Sequence, residues 1–121
     1  MKIKVMPQAL TVCKVGEVRD IDLSRPFYFI GQTDEELSLV CETEYAPEHT
    51  LAREDGWRGF RIEGTLDFSL IGILAKLSGT LADEGIGIFA VSTYNTDYIL
   101  VKAGNLDRAV DALRRKGWEL Q

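Results

Sequence analysis

Residues 70–101 read LIGILAKLSGTLADEGIGIFAVSTYNTDYILV, and the spacing of apolar residues along them decides the fold. Leu70, Ile73, Leu74, Leu77 and Leu81 recur at i, i+3, i+4, i+7 and i+11, the stripe of a helix that buries one face. Gly85 stands just past the stripe, where a helix C-terminus favours glycine. The period then changes. Ile86–Val91 and Tyr98–Val101 are short apolar runs flanking Thr93-Tyr94-Asn95-Thr96, the pattern of two strands joined by a turn, with Asn95 suited to a left-handed position.

Working outward, Asn105 fits the N-cap of a second helix carrying Leu106, Ala109, Val110 and Leu113, and Gly117 fits its end. Trp118-Glu119-Leu120 closes as a short strand. On the other side, Trp57–Ile62 alternates apolar with polar or small residues, as a half-buried strand does. The order strand, helix, strand, strand, helix, strand is the ferredoxin-like arrangement, an α+β fold with an antiparallel sheet and both helices on one face. The strands after residue 85 carry apolar residues on both sides, so both faces are expected to be covered.

The first half reads as a worn copy. Leu10–Val15 is a strand, Gly16–Pro26 has room for one helical turn at most, and Pro47–Arg53 is expected to form a short helix. FIGQTDEELSLV (29–40) and FAVSTYNTDYIL (89–100) share a plan: apolar strand, threonine, polar turn, apolar strand. Tandem ferredoxin-like units follow, a degenerate one over 1–60 and a complete one over 57–121, with the strand at 57–63 serving both.

The chain's 121 residues hold 45% hydrophobic and 27% charged side chains, enough for a core without disulfides or metals. No apolar run approaches the roughly 20 residues of a membrane span, and no charged segment followed by an apolar run opens the chain. Cys13 and Cys41 read as reduced thiols of a cytoplasmic protein. The net charge of −5 is confined to residues 1–56, with 6 basic and 11 acidic side chains; residues 57–121 hold 8 of each. Nucleic acid requires clustered cations, and the one dense run, Arg114-Arg115-Lys116, suits the end of a helix without any partner. The aromatic signature of RNA-recognition sheets is missing too.

Catalytic chemistry is poorly supplied. His49, the single histidine, lies in a polar segment, and no cysteine–histidine cluster, nucleophile elbow or phosphate loop is present. No enzyme, metal or cofactor is therefore expected. Binding is better supplied. The segment Asp67 to Gly72 opens a helix whose first amides are free to meet an anion, and Gly72 lets a ligand approach the backbone; equally, Gly72 serves close packing of the helix on the sheet. Residues 92–97 offer hydroxyls, a ring and one carboxylate around a hairpin. Asp97 suits an ammonium or guanidinium, or an Asx-type turn bond. Together the two places would grip the ends of an amino acid.

These residues resemble a known family. DFSLIGILAKLSGTLADEGIGIFAVSTYNTDYILV (67–101) is similar to the ACT domain, above all to the ACT units of small bacterial proteins and of the CASTOR-type cytosolic arginine sensor. The resemblance implies allosteric amino-acid sensing at interfaces between ACT units. It carries ligand contacts onto Gly72, Thr93, Tyr94 and Asp97, with Ile73 and Ser92 beside them. The chain has fewer ACT units than such a sensor, so a homodimer is expected to complete the interface. The competing expectation is an adaptor or dimerisation module whose apolar sheet face is its whole function.

Overall fold

The computed structural model describes residues 2–63 and 72–121. Ten regular elements follow in chain order: β1 (Lys2–Val5), β2 (Leu10–Lys14), β3 (Tyr28–Gln32), β4 (Leu37–Glu42), β5 (Ala52–Ile62), α1 (Ile73–Asp83), β6 (Phe89–Ser92), β7 (Asp97–Lys102), α2 (Leu106–Arg115) and β8 (Glu119–Leu120). They fall into two compact units, a larger one of Met1–Pro7 with Arg58–Gln121 and a smaller one of Gln8–Trp57.

The larger unit is the ferredoxin-like one, with one addition. Its strands lie in the order β6, β7, β5, β1, β8. The addition is β1, which sequence reading passes over. It runs antiparallel to β5, with Ile3 opposite Ile62 and Val5 opposite Phe60, and parallel to β8, with Ile3 opposite Leu120. Bonds from Gln121 N to Ile3 O (2.8 Å) and from Val5 N to Gln121 O (3.0 Å) extend the β8 side. The signal was there in Lys2-Ile3-Lys4-Val5, a four-residue alternation that buries Ile3 completely. Phe60 and Ile62 of β5, Ile99 and Val101 of β7, Leu77 and Leu81 of α1, and Ala109 and Leu113 of α2 meet Ile3 in one core. In β7 both faces are buried, since Ile99, Leu100 and Val101 all lie inside.

Both helices end by the same device. Gly85 (φ 71°) and Gly117 (φ 92°) take the left-handed conformation. The next residues turn their amides back, Ile86 N to Leu81 O and Trp118 N to Leu113 O, each 3.0 Å. This explains one departure from the sequence reading. Ile86 is consumed by the end of α1, so β6 begins at Phe89 rather than at Ile86. Three other expectations are corrected. Asn95 is not left-handed, because no non-glycine residue among those described has a positive φ. Asn105 holds the N-cap position of α2 without a capping side-chain bond; its Oδ1 accepts from Arg108 Nη1 at 3.2 Å instead. Pro47–Arg53 forms no helix, since β5 begins at Ala52 and pairs there with β2, Cys13 opposite Arg53.

The smaller unit orders its strands β3, β4, β2 and the first part of β5. Its core is Cys13, Val15, Ile21, Leu37, Leu39 and Cys41. Single helical turns at Val18–Asp20 and Thr43–Tyr45 stand where longer helices would be, and no α-helix occurs among its described residues. Both cysteines are free and buried. Burial pushes the Cys41 thiol up to about 11, helped by Cys13 beside it. Thr11, fully buried, lies 2.7 Å from Asp55 Oδ1 and 2.8 Å from Thr43 Oγ1. The carboxylate can only accept, so Thr11 donates to Asp55 and its oxygen takes the Thr43 proton. The hairpins β3–β4 and β6–β7 recur at a 60-residue spacing, closed by Thr33 N to Glu36 O (2.9 Å) and Thr93 N to Thr96 O (2.8 Å). Each is followed by a single turn, Thr43–Tyr45 and Ala103–Asn105.

Candidate functional site

The hairpin 92–97 is built by its own threonines. Besides its backbone bond, Thr93 Oγ1 donates to Thr96 O at 2.9 Å. Thr96 Oγ1 donates to Ile62 O at 2.6 Å, which ties the turn to the end of β5. Thr96 is only 9% exposed, while Tyr94, at the turn, is 91% exposed. Ser92 and Asp97 face each other where β6 and β7 open. Ser92 is exposed and Asp97 half-buried. Among the described residues the Asp97 carboxylate has no hydrogen-bond or ion-pair partner, so the turn-bond reading of it finds no support.

Because Thr96 is tied to Ile62, the turn and the end of β5 border one groove. It holds about 430 Å³ and is lined by Arg61, Ile62, Glu63, Thr93, Asn95, Thr96 and Tyr98. Arg61 and Glu63 are two apart along extended chain, so they share a face. Arg61 Nη2 donates to Glu63 Oε1 at 2.9 Å, with side chains 30% and 27% exposed. The bond to Glu63 pushes the Arg61 guanidinium up; burial opposes it, and Tyr98 adds to the upward push. The pair therefore presents a fixed cation and a carboxylate in a half-buried setting.

Gly72 precedes α1 with φ 85° and ψ 6°, and its carbonyl accepts the first helical bond from Lys76 N at 2.8 Å. No side chain caps the helix from this position. A Cβ on Gly72 would meet nothing within 4 Å among the described residues, so the backbone conformation, not close packing on the sheet, requires glycine. Leu70 and Asp67, which sequence reading placed at the head of this helix, lie outside the described residues. Ile73 packs partly against the core and lines a different groove from Thr93. Sequence reading missed Arg61, Glu63 and Tyr98. For Arg61 and Glu63 the signal was the alternation of 57–63 itself, which sets Arg61 on the face opposite Phe60 and Ile62. His49 is exposed, and no group of three potential metal ligands occurs among the described residues.

Thr96→Val is expected to destabilise the chain by about 1–3 kcal/mol, because the Ile62 carbonyl is left buried without its donor. Urea unfolding monitored by circular dichroism measures it. A cost below about 0.5 kcal/mol would mean that water replaces the hydroxyl and the turn is not anchored this way.

Comparison with known proteins places these features. The ACT domain family matches residues 52–115, more than half of the chain. The human cytosolic arginine sensor for mTORC1 subunit 1 is 36% identical over 97 residues, which cover 74% of this chain and 30% of that protein. The chain thus spans about 30% of the length of such relatives. A crystal structure of a protein from Agobacterium tumefaciens superimposes with a TM-score of 0.87 at 30% identity, covering 99% of this chain and 91% of that one. Aspartate kinase of Clostridium acetobutylicum, described as an allosteric enzyme, shares the fold with a TM-score of 0.68 at 18% identity, covering 93% of this chain and 33% of that one.

Proposed function

This chain belongs to the ACT domain family, and from that premise we propose that it is a non-catalytic regulatory protein that binds an amino acid at an interface between ACT units. The Arg61–Glu63 pair in the hairpin groove carries the reading. An α-amino acid brings one carboxylate and one ammonium, and these complement the guanidinium and carboxylate already held there. Thr93 lines the same groove, and Gly72, Ser92, Tyr94 and Asp97 are the further contacts of the proposed site, which leaves out Ile73 because it lines the other groove. Asp97, without a partner among the described residues, is the natural second acceptor for an ammonium or a guanidinium.

A second copy of the chain supplies the facing unit in this reading, so the working form is a homodimer. Residues 1–60 are then a degenerate ACT unit whose first strand, β1, has joined the sheet of the complete one over 57–121; the 60-residue spacing of the hairpins and the single turns of the smaller unit support it. The name of the mammalian relatives supports arginine as the first ligand to try and the cytosol as the place of action. Kinase activity is not part of the proposal, because the likeness to aspartate kinase covers only a third of that enzyme.

Thermal unfolding with each of the twenty amino acids in turn tests it. A true ligand at 100 times its Kd adds about 2.7 kcal/mol. For a chain of this size that raises Tm by roughly 10 °C. Arg61→Gln is expected to abolish the rise while changing the unliganded Tm little, since an ion pair this exposed contributes at most about 1 kcal/mol. If no amino acid raises Tm, the sensing reading fails and the adaptor reading takes its place.

A further inference from the structure

We propose a second binding groove in the larger unit, on the outer face of α1, that takes a small planar anion. The groove holds about 520 Å³, within the range of small-molecule sites. Leu77 and Leu81 turn one face of α1 into the core, which sends Lys76, Thr80 and Asp83 to the other side. Between them stand Ala75 and Gly79, whose small size leaves room, and among the described residues a Cβ at Gly79 would meet nothing within 4 Å, so the space beside the helix is open there. The far wall comes from the end of α2. Gly117 turns the chain with φ 92°, and the bond from Trp118 N to Leu113 O fixes the next residue, so Lys116 and Trp118 line the groove.

The chemistry of this lining selects its ligand. Trp118 packs partly against the core and is half-buried, leaving part of the indole as a stacking surface. Lys76 and Lys116 are exposed, and among the described residues neither has an ion-pair partner, whereas Arg53, Arg61 and Arg115 each have one. Two cations beside an indole suit one oxyanion attached to a planar ring. Asp83 in the same lining repels a high density of negative charge, which favours a single carboxylate or phosphate over a polyphosphate. The field agrees: the larger unit holds ten basic and eight acidic residues, the smaller four and eleven.

Trp57 and Trp118 are the two tryptophans of the chain, so Trp57→Phe makes Trp118 the sole reporter. The probes are adenosine monophosphate and nicotinate, which put phosphate or carboxylate on a planar ring, with adenosine and inorganic phosphate as single-feature comparators. Saturable quenching by either ring-bearing anion is expected, at least 10-fold tighter than by adenosine, and none by inorganic phosphate. Which anion binds distinguishes a phosphate from a carboxylate ligand. Lys76→Gln with Lys116→Gln is expected to weaken binding at least 10-fold; both side chains are exposed, so the fold is kept. Calorimetry on the unsubstituted chain repeats the measurement without Trp57→Phe. Absence of saturable binding by both anions, or binding unchanged in the double lysine variant, overturns the proposal.

Discussion

Phe60→Ala is expected to destabilise the chain by about 3–5 kcal/mol, the usual cost of emptying a buried phenylalanine site. Phe60 is fully buried at the point where β5 meets both helices, and it shares its core with Leu77, Leu81, Ile99 and Leu113. Leu77, Leu81 and Leu113 stand on helices whose ends are fixed by Gly85 and Gly117, and Ile99 on a strand paired with β6, so they collapse only in part into the space an alanine leaves. Domains of this size are stable by roughly 5–15 kcal/mol, so the variant would be close to unfolding at 37 °C. Equilibrium urea unfolding gives the value. A loss below about 1 kcal/mol would show that Phe60 is not the centre of this core.

The second large effect is expected at Ile3. Ile3→Asp places an unpaired carboxylate at a fully buried position between Ile62 of β5 and Leu120 of β8. An uncompensated buried charge costs about 3–5 kcal/mol. The cost must depend on pH, and its sign is fixed. Burial favours the protonated acid, so the folded state of the variant holds its proton to higher pH than the unfolded chain does. Stability is therefore greatest below the ordinary aspartate range near 4 and falls as pH rises through neutrality. Ile3→Val, at about 0.5–1.5 kcal/mol, serves as the packing control. If Ile3→Asp unfolds at the same urea concentration at pH 4 and pH 7, Ile3 is not enclosed as described.

Ile3 also marks the limit of what was legible in the sequence. α1 and α2 could be read because each carries an apolar stripe of two or more turns and a glycine at its end. β1 could not, because four alternating residues are too short to weigh alone, and its partners lie some 60 and 117 positions away. Lost in the same way was the start of β5, where pairing with β2 overrides the local preferences of Pro47–Arg53. At the site, the Thr93 hairpin was plain from its turn residues. The Arg61–Glu63 pair was not, since polar residues alternating with Phe60 and Ile62 look like any solvated strand face until Thr96 is seen tied to Ile62.

The place of β1 in the sheet has a consequence for the order of events during synthesis. Lys2 pairs with Glu119, so β1 waits for residues some 117 positions later before β8 becomes its neighbour. The smaller unit, Gln8–Trp57, is complete much earlier and needs no later residue for its strands. Until β8 is made, Ile3 and Val5 have β5 on one side only, and the open side is a hydrophobic edge of the kind that invites association between nascent chains, which Lys2 and Lys4, alternating with them along the strand, oppose.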